Sequence, residues 1–189
     1  MSAGAVVRSC GECTLCCTLL RVDELRKLGG TPCPALRAAP AAPGCGIHAT
    51  RPAICRAYSC LWLAGGLDPG DRPDRLGAVL DVATEGGVTR LRVHEARPGA
   101  YDGSPRLREI VARYRESMPV RIADAARAGD PAAPVRELGP GGAELRIEGD
   151  LVVRLEEGRE LERRRLPWPE RGLRRLALAL RKRKLRGYR

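Results

Sequence analysis

A chain of 189 residues with 43% hydrophobic residues, 3% aromatic ones and no Phe has room for one ordinary domain and an appendage, with a core resting on Leu, Val, Ile and Ala. The net charge of +11 points toward nucleic acid, but Arg159 to Arg189 carry 13 basic residues against 3 acidic, and the remainder 21 against 20, so the body is nearly neutral. The opening residues lack the basic and apolar regions of a leader, and apolar runs such as LALAL are too short to span a bilayer. The expectation is a soluble, cytoplasmic protein, in which thiols stay reduced and structural disulfides are rare.

In chain order, residues 8–63 come first and hold all eight cysteines: Cys10, Cys13, Cys16, Cys17, Cys33, Cys45, Cys55 and Cys60. CGECTLCC places four thiols in eight positions, spaced C-x2-C-x2-C-C. A buried cysteine or two would pass as small hydrophobes, but eight within 51 residues do not. A disulfide scaffold fits poorly with a reducing compartment, and Cys16 and Cys17 cannot bond to each other without a strained peptide. Metal coordination fits better. A C-x2-C turn brings two thiolates to one side of the backbone, at the separation a tetrahedral metal needs, with each sulfur roughly 2.3 Å from the ion. Without a cation so many thiolates would repel, and the thiols would stay protonated or oxidise.

The spacing leaves the metal open. A ferredoxin loop needs a fourth cysteine three residues after C-x2-C-x2-C, where Cys17 instead follows directly, although a distant cysteine could close a cluster. Soft thiolates accept zinc and iron–sulfur alike. Eight of them suit two four-thiolate sites or one polynuclear site. In CGIHATRPAICRAYSCLW, His48 reads first as a half-exposed polar residue and second as a ligand or supporting donor. Arg51 and Arg56 read equally as surface residues and as hydrogen-bond donors to thiolate sulfur.

The combined pattern resembles the YkgJ-type cysteine-cluster family, described as a zinc- or iron-chelating domain. The resemblance rests on Cys10, Cys13, Cys16 and Cys17, then Cys33 with Pro34, then Cys45 through Cys60 with Arg51, Pro52, Arg56 and Tyr58. It covers residues 8–63 and departs at His48, where the family usually carries Tyr. It implies metal binding by all eight cysteines, with zinc or iron as cofactor, the iron present either as ions or as an iron–sulfur cluster. No settled reaction follows from it. A related CxxCxxCC segment occurs in flagellin lysine N-methylases, but this sequence shows no Gly-rich loop for S-adenosylmethionine, so methyl transfer is not carried over.

Residues 64–127 read as the α+β portion of the same domain. GAVLDVA and VTRLRVHEA alternate as strands around TEGG, a hairpin loop. Ser104 and Pro105 then open a helix with Leu107, Ile110, Val111 and Tyr114 on one face, and Met118 to Ile122 add a strand. His94 falls in a strand with no acidic partner evident from spacing, so the sequence offers no catalytic constellation. Residues 128–142, AGDPAAPVRELGPGG, read as a Pro/Gly-rich linker. Residues 143–189 read as a hairpin, AELRI and LVVRLEE, followed by a basic helix with a Leu173, Leu176 and Leu180 stripe.

The fold class expected is α+β: a small irregular, metal-organised N-terminal cysteine region packed with short antiparallel strands and helices, plus a basic C-terminal helix. The leading function is metal chelation through the eight cysteines. The alternatives are an iron–sulfur redox protein or oxidoreductase subunit, and nucleic-acid or acidic-partner binding through residues 159–189. The same helix could lie on an anionic membrane. The favoured arrangement docks the leucine stripe on the body and leaves the charges solvated.

Overall fold

The computed structural model describes residues 8–37 and 44–186. It is α+β, and its seven strands form one sheet in sequence order, β1 to β7. β1 (Ala78–Glu85) and β2 (Val88–Glu95) form the expected hairpin, and Gly86 and Gly87, at φ 59° and 79°, supply the left-handed turn. Glycine adopts two such φ values in succession without a side-chain penalty, and that turn matches the twist of the paired strands.

From β2 the chain crosses through α4 (Ala100–Gly103) and α5 (Pro105–Arg115) to β3 (Val120–Asp124), which therefore pairs parallel to β2. All other neighbouring strands are antiparallel. The Ser104 hydroxyl caps α5 by accepting from the Leu107 amide at 3.2 Å. The Leu107, Ile110 and Val111 side chains of α5 are buried as their spacing predicts, and Tyr114 packs partly buried against the same core.

Residues 128–142 depart from the expected linker. Val135–Leu138 are β4, hydrogen-bonded on both sides, to β3 and to β5 (Ala143–Glu148). Pro and Gly around VREL hide the strand from local reading; pairing with two neighbours supplies what propensity does not. The second expected hairpin is present, with β6 (Leu151–Glu156) following β5. It is extended by an unanticipated strand, β7 (Arg159–Arg165), across a Glu157–Gly158 turn with both φ values positive. Every residue of β7 is exposed, so no apolar alternation marks it in the sequence.

The core sits at one end of the sheet. Leu80, Leu91, Val93, Val120 and Ile122 join Leu107, Ile110 and Val111 in one apolar cluster, all nearly inaccessible. The start of β1 is buried on both faces: Ala78, Val79, Leu80 and Asp81 are all inaccessible. A strand alternates its side chains, so Leu80 serves the face opposite Val79. The Val79 face is covered by the cysteine region, which also meets the β1 edge through a Leu61 amide bond to the Leu80 carbonyl at 2.7 Å.

α6 (Trp168–Arg186) closes the described chain. The expected helix is there, but its apolar stripe does not dock on the body. Leu173, Leu176 and Leu180 are more than half exposed, while half-buried Arg174, Leu178 and Lys182 lie on the opposite side. Among the described residues no helix is long and apolar enough to cross a membrane.

Candidate functional site

Short backbone elements tie together the segments of residues 8–63 that carry the eight cysteines. The Cys10–Cys13 segment is a tight turn, with the Cys13 amide bonded to the Cys10 carbonyl at 2.9 Å and Gly11 left-handed at φ 52°. Cys13 and Thr14 then lead into α1 (Leu15–Leu19), so Cys16 and Cys17 stand on its first turn. Of the two overlapping C-x2-C segments only the first is a closed turn; the second is a helix entry.

The later cysteines are tied back to this start. The Cys33 amide bonds the Cys17 carbonyl at 2.9 Å. The Cys33–Leu36 turn is joined to Cys45 by an antiparallel bridge between Leu36 and Cys45. Cys55 lies on α2 (Ala53–Ala57), and Cys60 is buried just before Trp62. All eight are free thiols.

One cleft gathers four of the cysteines, and charge proximity relates the other four to one another and, through Cys17, to the first group. Cys10, Cys13, Cys16 and Cys60 line one cleft of about 20 Å³, walled by Trp62, Pro73 and Val79. That volume admits about one water-sized body. The charges of Cys17, Cys33 and Cys45 act on Cys55. Adjacent Cys16 and Cys17 join the two groups. Among the described residues, no three Cys, His, Asp or Glu side chains converge tightly enough to form one metal shell.

The electrostatics follow from this crowding. Burial raises the Cys10, Cys55 and Cys60 thiols, and neighbouring sulfurs push them further up. Proton sharing between Cys16 and Cys17 raises Cys16 and lowers Cys17, whose thiolate is also favoured by Lys27 and Arg51. Arg51 favours the Cys10 thiolate as well. Its guanidinium lies 2.6 Å from His48 Nε2. Arg56 does not reach sulfur; it donates to the Arg51 carbonyl. His48 is exposed on a short 3-10 turn, and no thiol is its hydrogen-bond partner among the described residues.

Lys27 escaped the sequence reading. It is only 2% exposed, and its ammonium donates to the carbonyls of Thr18 (3.0 Å), Leu20 and Leu28 (3.3 Å). Two of these carbonyls belong to the C-terminal end of α1, where a cation is favoured. Burial lowers its pKa, while Cys33, Cys17, Cys16 and Cys55 act in the opposite sense. A buried charge is tolerated only when paired or fully hydrogen-bonded. A lone lysine has no periodic pattern to mark it; only the fold places it among thiols.

A second polar cluster ties this region to the sheet. Asp81 on β1 is buried and receives the Tyr58 hydroxyl at 3.0 Å and Arg92 Nε at 2.6 Å. His94 Nε2 lies 3.3 Å from its other contact oxygen, Oδ2. This corrects the reading of His94 as lacking an acidic partner: Asp81 pairs in register with Arg92, which places His94 diagonally beside it on the same face. Burial alone would raise the Asp81 pKa, but His94 and Arg92 outweigh it and hold it at about 2. Tyr58 is pushed above the usual phenol range by burial and by Asp81. The Tyr58–Asp81 bond crosses from residues 8–63 to β1, so the cluster reads as an anchor between Tyr58 and the sheet.

Comparison with protein-family models, curated proteins and solved structures returned no match to this chain.

Proposed function

We propose that this protein is a metal-binding module that chelates zinc or iron through eight cysteines arranged as two sets of four. The first set is Cys10, Cys13, Cys16 and Cys60; the second is Cys17, Cys33, Cys45 and Cys55. The observation that carries the reading is that Cys10 and Cys60, 50 positions apart, line one cleft with Cys13 and Cys16, that backbone bonds tie Cys17 to Cys33 and Leu36 to Cys45, and that all eight are free. Soft thiolate sets of this composition suit zinc or iron.

Three further features support it. The first set lines a hollow of single-ion scale, which favours one ion there over a cluster. The sulfurs would be drawn to roughly 2.3 Å from that ion. Lys27 and Arg51 set two positive charges against the thiolates, offsetting the net negative charge of a four-thiolate divalent site. The resemblance of the cysteine pattern to the YkgJ-type family points the same way. No catalytic step is assigned.

The test is anaerobic purification followed by elemental analysis and an absorbance spectrum. The proposal expects about two metal ions per chain, with little visible absorbance for zinc. A brown protein with acid-labile sulfide transfers the reading to an iron–sulfur redox protein. A metal-free protein whose circular dichroism is unchanged by chelator rejects metal binding.

A further inference from the structure

α6 is mounted the wrong way round for a helix that packs on its own domain. A surface helix normally turns its apolar stripe inward and its charges outward. Here the inward face carries two basic residues with one leucine, and its recorded bonds to the body are polar. Arg171 pairs with Asp150 at 3.3 Å, Arg174 donates to the Gly149 carbonyl at 3.3 Å, and Lys184 lies 3.8 Å from Asp23. At 100° per residue, Arg174, Leu178 and Lys182 form the inward face, while Leu173, Leu176 and Leu180 form a narrow arc nearly opposite. Those leucines are 64%, 55% and 54% exposed, and Trp168 at the helix start is 77% exposed.

We propose that α6 docks this protein on an anionic lipid surface, with Leu173, Leu176 and Leu180 in the headgroup–acyl boundary and exposed Trp168, at the start of the helix, in the headgroup layer. The helix carries eight basic residues and one acidic, Glu170, which complements acidic headgroups. Arg183 and Lys184 fall on either side of the stripe, where long side chains keep their charges at the interface while their stems lie along the apolar layer. An exposed leucine arc with a basic remainder and an interfacial tryptophan is the pattern of a helix that lies on a bilayer without crossing it.

Other occupants fit the same face less well. A nucleic acid would engage the basic residues, yet part of that face is already turned onto the body, and the leucines offer phosphate nothing. A second copy would bring two strongly positive helices together. The stripe also covers only about one heptad, where a stable coiled coil needs three or four.

The experiment is co-sedimentation of the full chain with vesicles of phosphatidylcholine alone and of phosphatidylcholine mixed with phosphatidylserine, each at low and high salt. Emission from Trp168 is read in parallel, with W168F as the control for Trp62. The proposal expects binding to the anionic vesicles only, weakened by salt, with a blue shift that W168F lacks. The double variant L176S/L180S touches exposed positions and should lower partitioning roughly tenfold or more, as removing two leucines from an apolar layer implies. Equal sedimentation with both vesicle types, or a double variant that binds as well as the parent, overturns the proposal. So does binding to duplex DNA that the double variant leaves unchanged while the vesicles recruit nothing.

Discussion

Residues 8–63 and the unit of β1, β2, β3 and α5 meet along β1, but they are held by different means. The sheet unit places ten apolar residues, from Ala78 to Ile122, at 2% exposure or less. Among its described residues the cysteine region has five buried apolar ones, two of them the cysteines Cys33 and Cys60, and its longest helices there span five residues. Short helices of that kind are not stable by themselves. The comparison teaches that a core accounts for the sheet unit and not for the cysteine region, where the proposed metal binding by the thiols would supply the missing restraint.

The largest effect expected follows from removing that restraint. Cys16→Ser, or chelation of the intact protein, should unfold residues 8–63, because structural zinc contributes about 10–16 kcal/mol in small metal-folded domains. Hydrogen exchange should show protection lost there and kept in β1 to β3 and α5. Equal loss in both regions would merge them into one cooperative unit and break the comparison.

Core truncation probes the other side. Leu80→Ala or Ile110→Ala should cost about 2–5 kcal/mol in urea denaturation, since each deletes fully buried methyl groups. The metal content should be unchanged wherever the protein remains folded.

Smaller effects come from the polar joints. Lys27→Met strands three carbonyls and should cost about 1–3 kcal/mol, felt in the cysteine region first. Tyr58→Phe removes the hydroxyl bond to Asp81 and should cost about 0.5–1.5 kcal/mol. Asp81 also predicts a pH dependence. Its folded pKa of about 2 lies below the usual 3.8, so its contribution is complete above about pH 4 and disappears as pH falls through 2. Asp81→Asn should flatten that part of the acid-stability curve.

Much of this contrast was legible in the sequence. The TEGG hairpin, the Ser104 cap and the Leu107, Ile110 and Val111 face were local signals, and the structure carries them out. β4 and β7 were not legible, because VREL is enclosed by Pro and Gly and RELERRR has no apolar face. Both exist through strand pairing, and only the Glu157–Gly158 turn hinted at β7. The α6 stripe was visible, but periodicity gives a stripe and not its direction. That direction is set by ion pairs and backbone contacts at Asp150, Gly149 and Asp23. The eight cysteines were readable in the sequence, whereas the division into fours proposed for them rests on a shared cleft and on the Cys17–Cys33 and Leu36–Cys45 backbone links, which spacing does not show.

The most direct test of that division is the metal content of single Ser variants, measured by native mass spectrometry on anaerobically purified protein. Cys60→Ser and Cys45→Ser should each lose one metal and keep the other, and the double variant should lose both. Retention of both metals in either single variant, or a parent protein that carries none, would contradict the two-set account.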